Sequence, residues 1–286
     1  MPHLLSFGHG YSAQVLTRVL LPQGWIVTGT TRSEPKADAL RQDGVQPVIW
    51  PGADMAPHLA KATHVLVSAG PDASGDPVLN ELRKQIADIA GQLEWVGYLS
   101  TTGVYGDHQG GWVDEATPLA PSTKRGQLRA EAEASWQRLA TETGLPLHIF
   151  RLAGIYGPGR GPFSKVRNGT ARRIVKKGQV FSRIHVEDIA QVLAASIARP
   201  NSGAIYNLCD DDAAAPEDVI GYAAELLGLP LPVAVDFDSA DLSPMARSFY
   251  SESKRVRNDR IKDELGIKLL YPDYRSGLEA LLAVEA

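Results

Sequence analysis

The sequence predicts an α/β protein: a doubly wound parallel sheet with a smaller C-terminal substrate lobe. Three observations predict it. Short apolar runs alternate with helix-period segments from the first residues onward. A glycine-rich turn follows the first run directly. The 286 residues are enough for one large α/β domain with an appended lobe.

Residues 3–7 are an apolar strand that opens into Gly8-His9-Gly10-Tyr11-Ser12-Ala13, after which Val15, Leu16, Val19 and Leu20 recur at helical spacing. Strand, G-x-G-x-x-A turn and helix start stand in the order that a pyrophosphate site requires. Gly8 permits a tight turn, Gly10 lets the backbone approach the phosphates, and Ala13 keeps helix and strand close. Tyr11, Ser12 and Ala13 open a helix whose unpaired N–H groups and positive dipole end suit an anion. The pattern therefore predicts a nicotinamide dinucleotide. Residues 25–30 form the next strand, ending in Thr30-Thr31-Arg32-Ser33. NAD sites usually place an acid there for the ribose 2′-OH, whereas an arginine accommodates a 2′-phosphate. Arg32, helped by Thr31 and Ser33, favours NADP, with NAD as the alternative because Glu34 is close by.

Residues 46–50 and 63–68 are further strands, and the second runs into Ser68-Ala69-Gly70-Pro71, small residues that let an adenosine lie against the sheet. Residues 78–93 read as an amphipathic helix, 95–100 as a strand, 124–143 as a helix and 146–151 as a strand. Ligand is then expected at the carboxyl ends of the strands. Downstream come a strand at 204–209, a helix from Pro216 to Leu227 and a closing helix at 278–284. Residues 161–180 and 240–258 read as loops, the second polar and mobile. There Lys254 and Arg255 are either anion contacts or a solvated charge run.

Composition narrows the function classes. A hydrophobic fraction of 44% and a charged fraction of 22% fit an ordinary globular chain. A net charge of -4 leaves no basic excess for phosphate backbones, so no nucleic-acid partner is expected. Arg172-Arg173 and Lys176-Lys177 are read as a solvated or anion-facing helix surface. The lone Cys209, together with the lack of a secretory or membrane-spanning apolar run, points to a cytoplasmic protein without membrane partners. The seven histidines are dispersed and suggest no metal site.

Four further segments carry a resemblance. They are residues 99–106 (Leu-Ser-Thr-Thr-Gly-Val-Tyr-Gly), residues 113–118 with Pro121, Arg151 with residues 155–160 (Ile-Tyr-Gly-Pro-Gly-Arg), and residues 181–190 (Phe-Ser-Arg-Ile-His-Val-Glu-Asp-Ile-Ala). In this order they resemble the extended short-chain dehydrogenases/reductases, the superfamily of nucleotide-sugar epimerases and dehydratases, over residues 3–210. The resemblance implies a Rossmann domain at 1–162, with 183–209 returning to the sheet, and a substrate lobe at 163–182 and 210–286. It also implies a small-molecule substrate, and a homodimer is the oligomer that such proteins often form.

Thr101 matches the superfamily's Ser/Thr that assists catalysis. The superfamily's Tyr-x-x-x-Lys, registered by its following Glu on Glu133, falls on Arg125 and Arg129. Arginine stays protonated and cannot replace a phenol as acid or base. The chain therefore looks like an atypical member that has lost the pair. Arg125 and Arg129 become candidates for holding cofactor or substrate; alternatively Arg129 is a surface partner of Glu133. Tyr105 and Tyr156 read as structural, His185 as a buried partner of Asp188, and Asn207 and Asp210 as a turn leading to the lobe. Two functions follow from this. One is an NAD(P)-dependent oxidoreductase or epimerase/dehydratase-like enzyme for a sugar nucleotide or a small hydroxy/keto compound. The other is a catalytically inactive, NADP-binding redox sensor or regulator.

Overall fold

The computed structural model describes residues 1–285. Strands and helices alternate through β1 (His3–Phe7), α1 (Tyr11–Leu20), β2 (Ile26–Thr31), α2 (Glu34–Gln42), β3 (Gln46–Ile49), α3 (Ala56–Leu59), β4 (His64–Val67), α4 (Pro77–Asp88) and β5 (Trp95–Thr101). There follow β6 (Trp112–Val113), α5 (Lys124–Thr143), β7 (Leu147–Leu152), β8 (Gly154–Tyr156), α6 (Phe163–Arg167), β9 (Arg173–Val175) and β10 (Arg183–His185). The chain continues with α7 (Val186–Ala198), β11 (Ile205–Leu208), α8 (Pro216–Leu226), β12 (Ala234–Asp236), α9 (Pro244–Phe249), β13 (Arg255–Val256), α10 (Asp259–Leu265) and α11 (Tyr274–Glu285).

Seven strands form one sheet in the order β3-β2-β1-β4-β5-β7-β11. The pairs β1–β2, β1–β4, β2–β3 and β4–β5 are parallel. All five residues of β1 are buried, which is what helices on both faces of a parallel sheet require. Strand order reverses between β1 and β4, so the crevice at their carboxyl ends is the topological switch point. Local chemistry sets the helix starts around it. Asp76 caps α4, accepting from the N–H groups of Val78 and Leu79 at 3.0 Å each, and Pro77 occupies the first turn, where no N–H is needed.

The chain forms two compact units. The first comprises Met1–Thr101, Gln127–Arg151 and Ile189–Tyr206; the second comprises Thr102–Gly126, Leu152–Asp188 and the chain from Asn207 onward. In the first, Phe7, Val67 and Tyr98 of the sheet pack with Ile86 of α4 and with Trp136 and Leu139 of α5. In the second, Tyr156, Phe163, Val219, Ala223, Tyr274 and Leu278 form a separate core.

The structure corrects several boundaries. The helix expected over 78–93 ends at Asp88, and a separate 3-10 turn spans Ala90–Gln92. Arg173 lies on a strand, so the basic pairs at 172–177 are not a helix surface. The last helix starts four residues earlier than its apolar spacing indicates, at Tyr274. Residues 240–258 are not a mobile loop, since they contain α9 and β13, and Val256 is buried. Polar residues misled that expectation because their partners are backbone groups far away in sequence.

Candidate functional site

The glycine turn sits where β1 ends. Gly8 has φ +71°, and a Cβ there would come within 2.8 Å of the Ala69 nitrogen. Glycine is thus demanded twice, by conformation and by the close approach of the chain leaving β4. Gly8 N–H donates to Thr30 Oγ1 at 2.8 Å, His9 N–H to the Thr30 carbonyl at 2.9 Å, and Ser68 N–H to the Phe7 carbonyl at 2.9 Å. These bonds fix the turn between the ends of β2 and β4. Thr30 carries no sequence signal for this role beyond its place at a strand end.

Gly10 is different. It is the N-cap of α1 at φ -114°, and a Cβ there would meet only the Gly8 carbonyl, at 3.6 Å. Among the described residues other than its chain neighbours, no further atom comes within 4 Å of that position. The ten-residue α1 opens with no side-chain cap and no acid in its first turn, so no carboxylate offsets its positive dipole end, which suits an anion. Ser12 and Ala13 are buried under this end, and Tyr11 is partly exposed. His9, between the two glycines, packs its ring where a Cβ on Gly29 would stand, 2.7 Å away. Burial holds this imidazole down to about 4 and therefore neutral.

Of the residues at the tip of β2, Thr31 is buried and Arg32 is exposed. Glu34 lies 3.9 Å from Arg41 along α2, so its charge is partly engaged there. After β4, Ser68 and Ala69 are partly exposed and Gly70 is exposed. Among the described residues, Ser68 Oγ is buried without a hydrogen-bond partner.

Thr101 ends β5 and is partly exposed. Beneath it, Ser100 donates to Glu133, whose carboxylate also pairs with Arg151 at 2.8 Å. Glu133 and Arg151 are 1% and 3% exposed, so this ion pair is fully desolvated and ties α5 to β5 and β7. Arg129 is therefore not a surface partner of Glu133. It donates to the Leu99 carbonyl at 2.8 Å and to the Tyr98 hydroxyl at 3.2 Å, and its guanidinium lies 5.6 Å from the Tyr98 ring centroid. Another of its nitrogens would be 3.4 Å from a Cβ on Gly70. Arg129 thus bridges the ends of β4 and β5 in the unit that carries the glycine turn. Burial pushes the Tyr98 phenol and the Asp76 carboxyl up, and the Arg129 charge opposes both shifts. Arg125 is exposed in the first turn of α5.

Other expectations are redirected within the second unit. His185 does not bond Asp188; its Nδ1 accepts from Glu187 N–H at 3.3 Å, and its ring lies 4.0 Å from that of Tyr271. Asp188 instead accepts from the N–H groups of Leu270 and Tyr271, while burial raises its carboxyl to about 6. Lys254 is not a solvated charge: it is 9% exposed and donates to the Gly106 carbonyl at 2.6 Å and to Glu252 at 2.7 Å. Arg255 donates to the Gly110 carbonyl, and Ser253 N–H to Asp107 at 2.8 Å. Residues 252–256 are in this way laced onto residues 106–113, where β13 pairs with β6.

No helix of the described residues is long and apolar enough to cross a membrane. Among them, no group of three or more His, Cys, Asp or Glu side chains is placed to hold a metal ion.

Comparison with known proteins gives a consistent pattern. The NAD dependent epimerase/dehydratase family matches residues 7–209. The chain is similar to a functionally unknown conserved protein from Silicibacter pomeroyi, with 64% identity, 99% of both chains covered and a TM-score of 0.96. Protein YeeZ of Escherichia coli is 29% identical over 279 residues, covering 93% of this chain and 95% of its own. The fold is also shared with UDP-glucuronic acid 4-epimerase from Bacillus cereus in complex with NAD, at 16% identity and TM-score 0.79, covering 97% of this chain and 96% of that one.

Proposed function

Because the chain belongs to the NAD dependent epimerase/dehydratase family, we propose that it is a dinucleotide-dependent enzyme of the oxidoreductase or epimerase type with an atypical active site. The observation that carries this is the contrast between the two glycines. Gly8 is required by the fold, whereas at Gly10 a Cβ would meet only the Gly8 carbonyl, at 3.6 Å, at the start of a helix with no side-chain cap. A diphosphate suits that place.

In this reading the main chain at Tyr11, Ser12 and Ala13 holds the diphosphate, and the exposed Arg32, beside Thr31, takes a 2′-phosphate, which favours NADP over NAD. Ser68, Ala69 and Gly70 border the adenosine. Arg129, held in place by Leu99 and Tyr98, turns its remaining donors to the nicotinamide ribose. The Thr101 hydroxyl orients the carbonyl or hydroxyl of the substrate, a sugar nucleotide or a small hydroxy/keto compound. When bound, the nicotinamide supplies or accepts the hydride of the exchange. Since arginine is no proton carrier, neither Arg125 nor Arg129 replaces the missing tyrosine, and water carries the substrate proton.

Calorimetric titration with NADPH and NADH tests the reading. NADPH is expected to bind more tightly, and Arg32→Ala to remove an advantage of about tenfold. Gly10→Val is expected to weaken either coenzyme by about tenfold or more, because the side chain enters the phosphate space, and to leave the chain folded with the small loss of stability of a poorer N-cap. Failure of both coenzymes to bind at millimolar concentration sinks the proposal. Tight binding with no turnover over a panel of carbonyl compounds favours the redox-sensor alternative.

A further inference from the structure

The second unit contains an aromatic cluster that the coenzyme reading leaves unused. Phe181, just before β10, meets Tyr250 edge-on with ring centroids 5.6 Å apart, and Tyr250 lies against Phe237 at 5.3 Å. Hydrogen bonds bring the three together: Phe181 N–H donates to the Ala214 carbonyl and Phe237 N–H to the Val175 carbonyl, while the Lys176 ammonium donates to the Tyr250 carbonyl. All three rings remain partly exposed, and none belongs to the unit's buried core. The next residue, Phe249, is 52% exposed. Four aromatic side chains kept near water on neighbouring segments form a surface that suits another flat ring.

The charges around this surface are selective. Lys176 and Arg247 lie 5.1 and 4.9 Å from the Phe237 centroid. Lys176 is held by the Tyr250 carbonyl. Arg183, two residues after Phe181, donates to the carbonyls of Phe181 and Ala214, and Lys254 and Arg255 are tied to Gly106 and Gly110. Arg247 gives one N–H to the Ala240 carbonyl at 2.8 Å and is otherwise exposed. A diphosphate calls for several unengaged cations or amides. One exposed guanidinium beside aromatic rings instead complements a single carboxylate on a planar ring.

We propose that this surface binds a small aromatic carboxylate, its ring against Phe181 and Tyr250 and its carboxylate on Arg247. The proposal rests on the enzyme reading given above.

Titration of the full-length protein with trans-cinnamate, 3-cyclohexylpropionate and UDP-glucose, with and without NADPH, tests it. Cinnamate is expected to bind about tenfold more tightly than either comparator. Arg247→Gln and Phe181→Ala, both at partly or fully exposed positions, are each expected to weaken cinnamate about fivefold or more while leaving NADPH affinity unchanged. Absence of cinnamate binding, a tighter UDP-glucose, or variants that bind cinnamate normally would each overturn the proposal. Loss of NADPH binding by the unmodified protein would instead overturn the enzyme reading, and the two failures are separately visible.

Discussion

Gly8 and Gly10 stand two residues apart and answer to different demands. At Gly8 a methyl group meets both a left-handed backbone and the Ala69 nitrogen at 2.8 Å. Gly8→Ala should therefore destabilise the fold by about 1–3 kcal/mol, as measured by urea unfolding, a larger effect than a substitution at Gly10 should have. An unchanged midpoint would show that the turn relaxes freely. Both glycines could be read from their motif, because the spacing of a phosphate turn is local. Arg129 was legible as a position but not as a conformation. Its partners Tyr98 and Leu99 lie 31 and 30 residues away, and only the fold brings them to it.

The helix α5 is anchored to the sheet through the Glu133–Arg151 pair and its Ser100 donor. Removing one partner leaves a buried charge alone, so Glu133→Ala should cost about 3–5 kcal/mol in urea unfolding. The double variant Glu133→Leu with Arg151→Met should recover most of that loss, since an apolar pair needs no desolvation of charge. Equal losses in the single and double variants would mean that the pair itself is the source of stability. The bounds of α5 were clear in the sequence over 124–143, because its length and flanking prolines and glycine are local signals. The segment at 240–258 was not. Its structure comes from bonds such as Lys254 Nζ to the Gly106 carbonyl and Ser253 N–H to the Asp107 carboxylate, 148 and 146 residues distant, which no periodicity records. The aromatic cluster was hidden for the same reason, its members being spread from Phe181 to Tyr250.

For the whole molecule, acidity sets a limit on stability. His9 and His148 are buried as neutral rings, and burial holds both down to about 4 against 6.5 for an ordinary imidazole. Below about 6.5 the unfolded chain takes up protons that the folded chain refuses. Their contribution is complete above that value and is lost as pH falls toward 4. Asp188 works in the opposite direction: raised to about 6 from 3.8, it lets the folded form keep a proton longer, and its contribution declines as pH rises through that interval. Each ring therefore lowers the unfolding free energy by about 2 kcal/mol between pH 7 and pH 5, before the opposing shares of Asp188 and the other carboxyls that burial raises, Asp76, Glu115 and Asp210. His148→Gln, which retains an acceptor for the Asn201 N–H, should remove this residue's share of that slope, about 2 kcal/mol. A slope identical to that of the unmodified protein would exclude His148 as a source. The alternating architecture was visible in the order of apolar runs, whereas the interleaved make-up of the two units was not, since contact between distant stretches defines it.

The strand order has a consequence for how the chain is made. β11, at one margin of the seven-stranded sheet, is the last of its strands to leave the ribosome, long after its neighbour β7. Until Ile205–Leu208 emerges, β7 offers a row of unsatisfied amides and carbonyls to any other nascent chain. Fragments that stop short of residue 205 should accordingly be the form of this protein most in need of chaperones.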